Sequence, residues 1–253
     1  MKNGTDVSRF SGKNVVITGG GSGIGFAMAK LLVDGGAAVV ITGRSQATLD
    51  AALERLGPGA VTVRGDVSSL TELDSLAERV KAELGSVDAL FVNAGIAPLT
   101  PFESTTEEAY DQVFTTNVKG AFFTVQKLAP LLSDGAGVVL TTSVANVVGI
   151  LETSVYAASK AALRSLARTF SRELLPRGIR VNAISPGPID TGILESIMTD
   201  EEATQFKRER VADNPMRRFG TPEEVAVAAA FLAFDATYTA GAEFAVDGGV
   251  TQL

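Results

Sequence analysis

The sequence contains neither cysteine nor histidine. Without cysteine there are no disulfides, no thiolate nucleophile and no sulfur-based metal site, and nothing hints at an oxidising compartment. Without histidine a metal would need oxygen ligands alone, so zinc hydrolysis is disfavoured and no metal site is expected. The usual proton carrier of catalysis near neutral pH is missing as well. No apolar run reaches the roughly 18 residues that a spanning helix needs. The opening MKNGTDVSRFSGKN lacks the apolar core of a secretory leader. A cytoplasmic protein with no membrane partner is expected. Positive charge is short too: 22 Lys and Arg against 29 Asp and Glu leave a formal net charge of −7. No nucleic-acid partner is expected, because backbone binding needs clustered cations.

What is present suits a folded enzyme-sized chain. Of 253 residues, 45% are hydrophobic and 20% charged, enough to bury a sizeable core without covalent staples. No linker, repeat or low-complexity tract interrupts it, so residues 1–253 read as one domain. Strand candidates are Asn14–Thr18, Ala38–Thr42, Ala60–Arg64, Ala89–Val92, Gly137–Thr142, Ile179–Ser185 and Glu243–Val246. Most are near-continuous Val, Ile, Leu and Ala, the pattern of parallel strands covered on both faces. Helical periodicity lies between them. In Gly23–Asp34, Ile24, Ala27, Met28, Leu31 and Leu32 fall on one face. Ser69 with Glu72, Thr105 with Glu108, and Thr221 with Glu224 behind Pro222 read as capping boxes. Alternating strands and helices imply an α/β fold: a single doubly wound, Rossmann-type domain with a parallel sheet of about seven strands and helices on both faces. The least regular stretch, 186–219, holds apolar Ile193, Leu194, Ile197 and Met198, then KRER. Its length marks it as a substrate lid or binding loop.

After the first strand comes TGGGSGIG, Thr18 to Gly25. Glycines let the chain turn tightly and let backbone approach a ligand. The helix that follows offers free amides and a positive dipole end to an anion. A strand before and an amphipathic helix after are the context a dinucleotide site requires. The second strand ends in ITGRS. In dinucleotide folds an acidic residue there usually holds the adenosine ribose. Here Thr42 and Gly43 occupy the place, followed by Arg44 and Ser45. With no carboxylate to repel a 2′-phosphate and a guanidinium fork to bind one, NADP(H) is expected and NAD(H) is the less favoured cofactor.

Residues 156–160 read YAASK, within a helical stretch from Ser154 to Leu175 ended by Pro176. Tyr156 and Lys160, four apart, share a helix face. A free phenol has a pKa of about 10. A nearby ammonium would lower it and let the tyrosine act as general acid or base, so no histidine is required. Ser143 closes the fifth strand and can polarise a carbonyl oxygen.

With Thr18, Gly19, Gly23 and Gly25 spaced T-G-x-x-x-G-x-G, Asp66 after the third strand, N-A-G at Asn93–Gly95, Asn117, Ser143, Tyr156, Lys160 and P-G at Pro186–Gly187, the sequence resembles the short-chain dehydrogenase/reductase family over essentially its whole length. Val92 departs from the family pattern, in which Asn often precedes N-A-G. The resemblance implies that the cofactor is held by Thr18, Gly19, Ser22, Gly23, Ile24, Gly25, Arg44, Ser45, Asp66, Val67, Asn93, Ala94, Gly95, Tyr156, Lys160, Pro186, Gly187, Ile189 and Thr191. Asp66 and Val67 would meet adenine. Ser22 stands where some related proteins carry a basic residue. Lys160 would also bind the nicotinamide ribose, and Asn117 would order a water leading from Lys160 to solvent. The pocket would be lined by Ile96–Leu99, Val144–Glu152 and Ile189–Met198. These stretches are mostly apolar, so a hydrophobic ketone or secondary alcohol is the expected small-molecule substrate. A 3-oxoacyl thioester reductase shares fold and residues, and would want a basic patch for an acidic carrier; Arg217–Arg218 and KRER are the candidates. A non-catalytic nucleotide sensor on the same fold is the alternative from another class, though it would not need Ser143, Tyr156 and Lys160 together. Family members are commonly tetramers, and Gly241–Leu253, apolar with few charges, points to a homo-oligomer.

Overall fold

The computed structural model describes residues 9–192, 194 and 199–253. Seven strands form one sheet: β1 (Asn14–Thr18), β2 (Ala38–Gly43), β3 (Ala60–Arg64), β4 (Val87–Val92), β5 (Leu132–Thr141), β6 (Arg180–Pro186) and β7 (Glu243–Val246). Helices α1 (Gly23–Asp34), α2 (Gln46–Leu56), α3 (Leu70–Leu84), α4 (Glu107–Phe114), α5 (Gly120–Leu128), α6 (Ser154–Leu174), α7 (Asp200–Asp213) and α8 (Pro222–Ala230) pack around it. The strand order is β3-β2-β1-β4-β5-β6-β7, and every pairing is parallel.

The pleat sorts each strand onto two cores. Val15, Ile17, Val39, Ile41, Ala89 and Phe91 face one side, against α1, α2 and α8. Val16, Val40, Leu90, Val138, Leu140 and Val181 face the other, against α3, α5 and α6. The order reverses between β1 and β4, whose ends meet in register at Thr18 and Val92. A sheet of this kind opens its ligand crevice at that point, beyond the carboxyl ends of the strands.

Several local expectations need correction. β5 starts at Leu132 rather than Gly137. SDGAG reads as turn chemistry, yet Gly137 is there because a Cβ would lie 2.2 Å from the Ala233 carbonyl oxygen. Of the three capping boxes, only that of Thr221 and Glu224 is complete. Ser69 accepts from the Glu72 amide, but the Glu72 carboxylate turns to the Asp66 amide at 2.8 Å. The cap of α4 is Thr106, while the Thr105 hydroxyl donates to the Pro101 carbonyl at 2.9 Å. Within 186–219, residues 200–213 are helical rather than irregular, started by a capping box of Thr199 and Glu202. Ile193, Ile197 and Met198 lie outside the described residues.

Candidate active site

The glycine turn is shaped by backbone crowding. Thr18 is fully buried, and its hydroxyl accepts from the amides of Asn93 and Ala94 at 3.0 and 3.1 Å. Gly19 then takes φ 67°. A Cβ on Gly25 would stand 2.1 Å from the Gly19 carbonyl oxygen, so only hydrogen fits where α1 crosses the turn. The Ser22 side chain makes no cap to α1, which leaves the first amides of that helix open to an anion. Asn93 donates to the carbonyls of Thr18 and Gly19 at 3.2 and 3.3 Å and accepts from the Thr141 hydroxyl at 3.3 Å. It therefore laces the ends of β1, β4 and β5 together while lining the cleft.

Two adjoining cavities make up the crevice. One, about 250 Å³, is bounded by Gly19, Ser22, Arg44, Ser45, Asp66, Val67, Ala94 and Gly95. Thr42, Thr48, Leu49 and Thr116 also line it; sequence reasoning did not single out the last three. Gly43 lies at the same wall, where an added Cβ would meet only Leu49, at 3.5 Å. Arg44 is exposed and forms no ion pair among the described residues. Ser45 caps α2 by accepting from the Thr48 amide at 3.3 Å. The second cavity, about 700 Å³, contains Ile24, Asn93, Ser143, Tyr156, Lys160, Pro186, Gly187, Ile189 and Thr191. Arg44, Gly95 and Ile96 belong to both, so the crevice is continuous. Thr18, Gly23 and Gly25 support the turn from behind rather than lining either cavity. Gly23 meets Thr191 across the crevice, where a Cβ would approach that side chain to 3.3 Å.

At the second cavity, α6 carries Tyr156 and Lys160 on one face. Lys160 is 4% exposed, and its ammonium donates to the Thr141 carbonyl at 2.8 Å. Burial pulls its pKa down to about 8. Tyr156 is half-buried. Desolvation raises its phenol above the ordinary value, opposed by a hydrogen bond with Ser143. The expected lowering by Lys160 is thus not what the polypeptide alone produces. The ammonium sits 5.6 Å from the ring centroid and is engaged by a carbonyl, so burial dominates. Two hydroxyls, on Ser143 and Tyr156, converge where a carbonyl oxygen can accept from both.

Asn117 is placed differently from the others. The helix from α4 to α5 widens into a π-turn at Thr115–Lys119, a feature that gathers at functional sites. There the Asn117 side chain is fully buried. It accepts from the Ile96 amide at 2.8 Å, and donates to the Ile96 carbonyl at 2.9 Å and the Ser159 hydroxyl at 3.0 Å. Ser159 in turn donates to the Tyr156 carbonyl at 2.6 Å. Asn117 thus ties the cleft wall to α6 from behind. Ser159 went unnoticed in the sequence; its place between Tyr156 and Lys160 in YAASK was the available signal.

A family model described as Enoyl-(Acyl carrier protein) reductase matches residues 19–251. The oxidoreductase asL5 of Sarocladium schorii is 44% identical over 250 residues, covering 98% of this chain and 99% of the relative. The cis-4-hydroxycyclohexanecarboxylate dehydrogenase of Sinomonas cyclohexanicum is 38% identical, over 96% of this chain and 98% of its own. A crystal structure from Brucella melitensis, described as a short-chain dehydrogenase/reductase and glucose/ribitol dehydrogenase, superposes with a TM-score of 0.89 at 30% identity, covering 95% of this chain and 97% of the other. The chain belongs to the short-chain dehydrogenase/reductase family.

This short-chain dehydrogenase/reductase is therefore an oxidoreductase, of a family that uses a nicotinamide dinucleotide. The non-catalytic sensor falls away. The residues present fit such a cofactor: a turn that a Cβ at Gly25 would block, uncapped amides at the start of α1, and a continuous crevice leading to the hydroxyl pair. The pocket stretches fare unevenly. Ile96, Ala97 and Pro98 line the second cavity, as do Ile189 and Thr191. Leu99 is half exposed, and Val147 and Leu151 are turned to solvent. Val144 is packed in the interior. Glu152 is exposed in a left-handed conformation, φ 62°, and its carbonyl accepts from the Thr100 amide at 2.9 Å. Gln112, from α4, also lines the cavity and was missed. No described helix is long and apolar enough to cross a membrane.

Proposed function

We propose that this enzyme is an NADP(H)-dependent carbonyl reductase and alcohol dehydrogenase, interconverting a hydrophobic ketone and its secondary alcohol. The observation that carries the reading is that Ser143, Tyr156 and Lys160 line one cavity, continuous with the cavity at the glycine turn. When bound, the cofactor supplies or takes up hydride at its nicotinamide ring. The turn from Thr18 to Gly25, with Arg44, Ser45, Asp66, Val67, Asn93, Ala94 and Gly95, would hold it, and Pro186, Gly187, Ile189 and Thr191 would flank its reacting end. Arg44 would meet the 2′-phosphate.

The chain's own part is binding and proton handling. Ser143 donates to the substrate oxygen. Tyr156 gives that oxygen its proton in reduction and takes it back in oxidation. A phenol held above its ordinary value stays protonated at neutral pH, which suits reduction. Lys160 keeps a positive charge beside the site and binds ribose. Asn117 holds the wall at Ile96 in place. Apolar Ile24, Ile96, Ala97, Pro98 and Ile189 favour an apolar carbonyl compound. The stretch 186–219 serves as the substrate lid. The working form is a cytoplasmic homotetramer, supported by edge strand β7 with Phe244 46% exposed and by Leu253 93% exposed. Light scattering that returned the mass of a single 26.2 kDa chain would overturn the assembly.

A second reading, 3-oxoacyl thioester reduction, draws on the likeness to a solved structure described as a putative betaketoacyl-ACP reductase, 37% identical with a TM-score of 0.86. Two cations of its candidate basic patch are already paired, Arg218 with Glu224 at 2.6 Å and Lys207 with Asp190 at 2.7 Å. The test is absorbance of NADPH and of NADH with acetophenone, cyclohexanone and ethyl acetoacetate. NADPH-specific loss with the simple ketones is expected. Equal use of NADH removes the cofactor assignment, turnover of ethyl acetoacetate alone favours the acyl reading, and no turnover overturns both.

A further inference from the structure

Glu243 opens β7, 83 residues beyond Lys160 in sequence. Its side chain is 16% exposed and fully engaged. One carboxylate oxygen, Oε1, accepts from the Thr142 hydroxyl at 2.7 Å and from the Asn146 side-chain amide at 2.7 Å. The other, Oε2, faces the Arg164 guanidinium at 3.4 Å, and Arg164 also donates to the Gly241 carbonyl at 2.9 Å. Thr142 and Asn146 are the two sides of a short segment with Ser143 between them. Ser143 starts the 3₁₀ turn Val144–Asn146 and accepts from the Ala145 amide at 3.2 Å. Arg164 stands one helical turn beyond Lys160, on the helix that carries Tyr156.

The bonding leaves little freedom. The Thr142 amide donates to the Ile184 carbonyl at 2.8 Å, and the single proton of the Thr142 hydroxyl has two acceptors in reach, that carbonyl at 2.9 Å and the Glu243 carboxylate at 2.7 Å, of which the charged one is the shorter and stronger. Short contacts to a charged acceptor are the strong kind. The carboxylate also dictates which way Asn146 points. Its amide nitrogen must face Glu243, even though this leaves the Asn146 carbonyl oxygen buried without a partner among the described residues.

We propose that Glu243 is a positioning residue, a clamp that fixes the Ser143 hydroxyl relative to Tyr156 by gripping Thr142 and Asn146 on one side and Arg164 of α6 on the other. The inference rests on the reading of Ser143 as donor to the substrate oxygen. It extends the machinery to β7, the edge of the sheet. It also explains why a carboxylate is held there instead of an apolar side chain, as would suit a strand otherwise reading Phe-Ala-Val.

The test is a double-mutant cycle on turnover of whichever ketone of the three is fastest with NADPH. Wild type, Ser143→Ala, Glu243→Gln and the double variant are compared, with NADPH binding and thermal unfolding measured on each. Glu243→Gln keeps size and removes charge. Misplacement on the order of an ångström can cost about 100-fold, so a loss in kcat of about 10- to 100-fold is expected, with NADPH affinity and KM unchanged. In the Ser143→Ala background Glu243→Gln is expected to cost nothing further, because it acts through the missing hydroxyl. If Glu243→Gln does not fold, Thr142→Val breaks one arm of the clamp and Thr142→Ser, which keeps the hydroxyl, restores turnover. Losses that simply multiply, or that follow the folded fraction, overturn the clamp and leave Ser143's role standing. Full turnover in Ser143→Ala removes the reading of the site itself, and the clamp with it.

Discussion

The two ends of the crevice are made differently. At the glycine turn the shape is backbone, from one contiguous run, and the limiting contact is the 2.1 Å that a Cβ on Gly25 would make with the Gly19 carbonyl. At the hydroxyl pair the shape is side chain. The bonds that hold it join residues 19 apart at Lys160 and Thr141, 42 apart at Asn117 and Ser159, and 101 apart at Thr142 and Glu243. At Gly25 the first end cannot accept atoms without moving main chain. The second can lose a functional atom while its packing survives. Stability and chemistry are therefore coupled at Gly25 and separable at Tyr156.

The strongest break of that contrast is Tyr156→Phe. The ring's packing stays and only the hydroxyl goes, so turnover is expected to fall by about 10²–10⁴. The unfolding midpoint and cofactor affinity are expected to stay near wild type. Steady-state kinetics beside a thermal melt and a cofactor titration decides it; retained turnover places the proton donor elsewhere.

Lys160 sharpens the comparison through pH. Its folded value is pulled from 10.5 to about 8 by burial. Between those limits the unfolded chain binds a proton that the folded chain has released, so stability rises with pH across the window. Below it the buried charge costs the fold, by up to about 3 kcal/mol for a shift of that size. Relative to Lys160→Met, wild type is expected to gain stability between about pH 7 and about pH 10. Tyr156, titrating in both proteins, cancels to first order. Urea unfolding at the two ends of the range checks it, and a constant difference would mean that the ammonium is not desolvated.

The smallest expected effect belongs to the backbone end. Gly25→Ala adds one methyl group against a carbonyl and is expected to cost about 1–3 kcal/mol of stability, with weaker dinucleotide binding, since α1 must shift. Thermal unfolding and a cofactor titration should move together. Stability that is unchanged while binding is lost would make the turn a purely local device.

Legibility followed the same division. β1, β3 and α1 were readable to the residue, because buried β1 is a run of branched apolar residues, the edge strand β3 is β-branched at Val61, Thr62 and Val63, and α1 keeps one apolar face. β5 was read short, because SDGAG looks like a turn until the close approach of Ala233 is known. Helix α7 was missed, because KRER and its acidic first turn leave almost no apolar face, with Ala203 its buried residue. Thr105 was read as a cap one residue early, since two adjacent threonines offer the same hydroxyl and only the path from Pro101 chooses between them. Among the residues at the crevice, the glycines of the turn and the YAASK pair could be placed from the sequence. Gln112, Ser159 and Glu243 were not, since nothing local marks a polar side chain whose partners lie on other elements.

The sequence by itself settled the order of the seven strands, the absence of histidine and cysteine chemistry, and the glycine turn between β1 and α1. Each follows from local sterics, spacing or composition. Tertiary structure decided the rest. It set the register that brings Thr18 beside Val92, the burial that raises Tyr156 and lowers Lys160, and the carboxylate from the last strand set behind Ser143. These depend on desolvation and on bonds closed across long loops, and neither exists until the sheet has assembled.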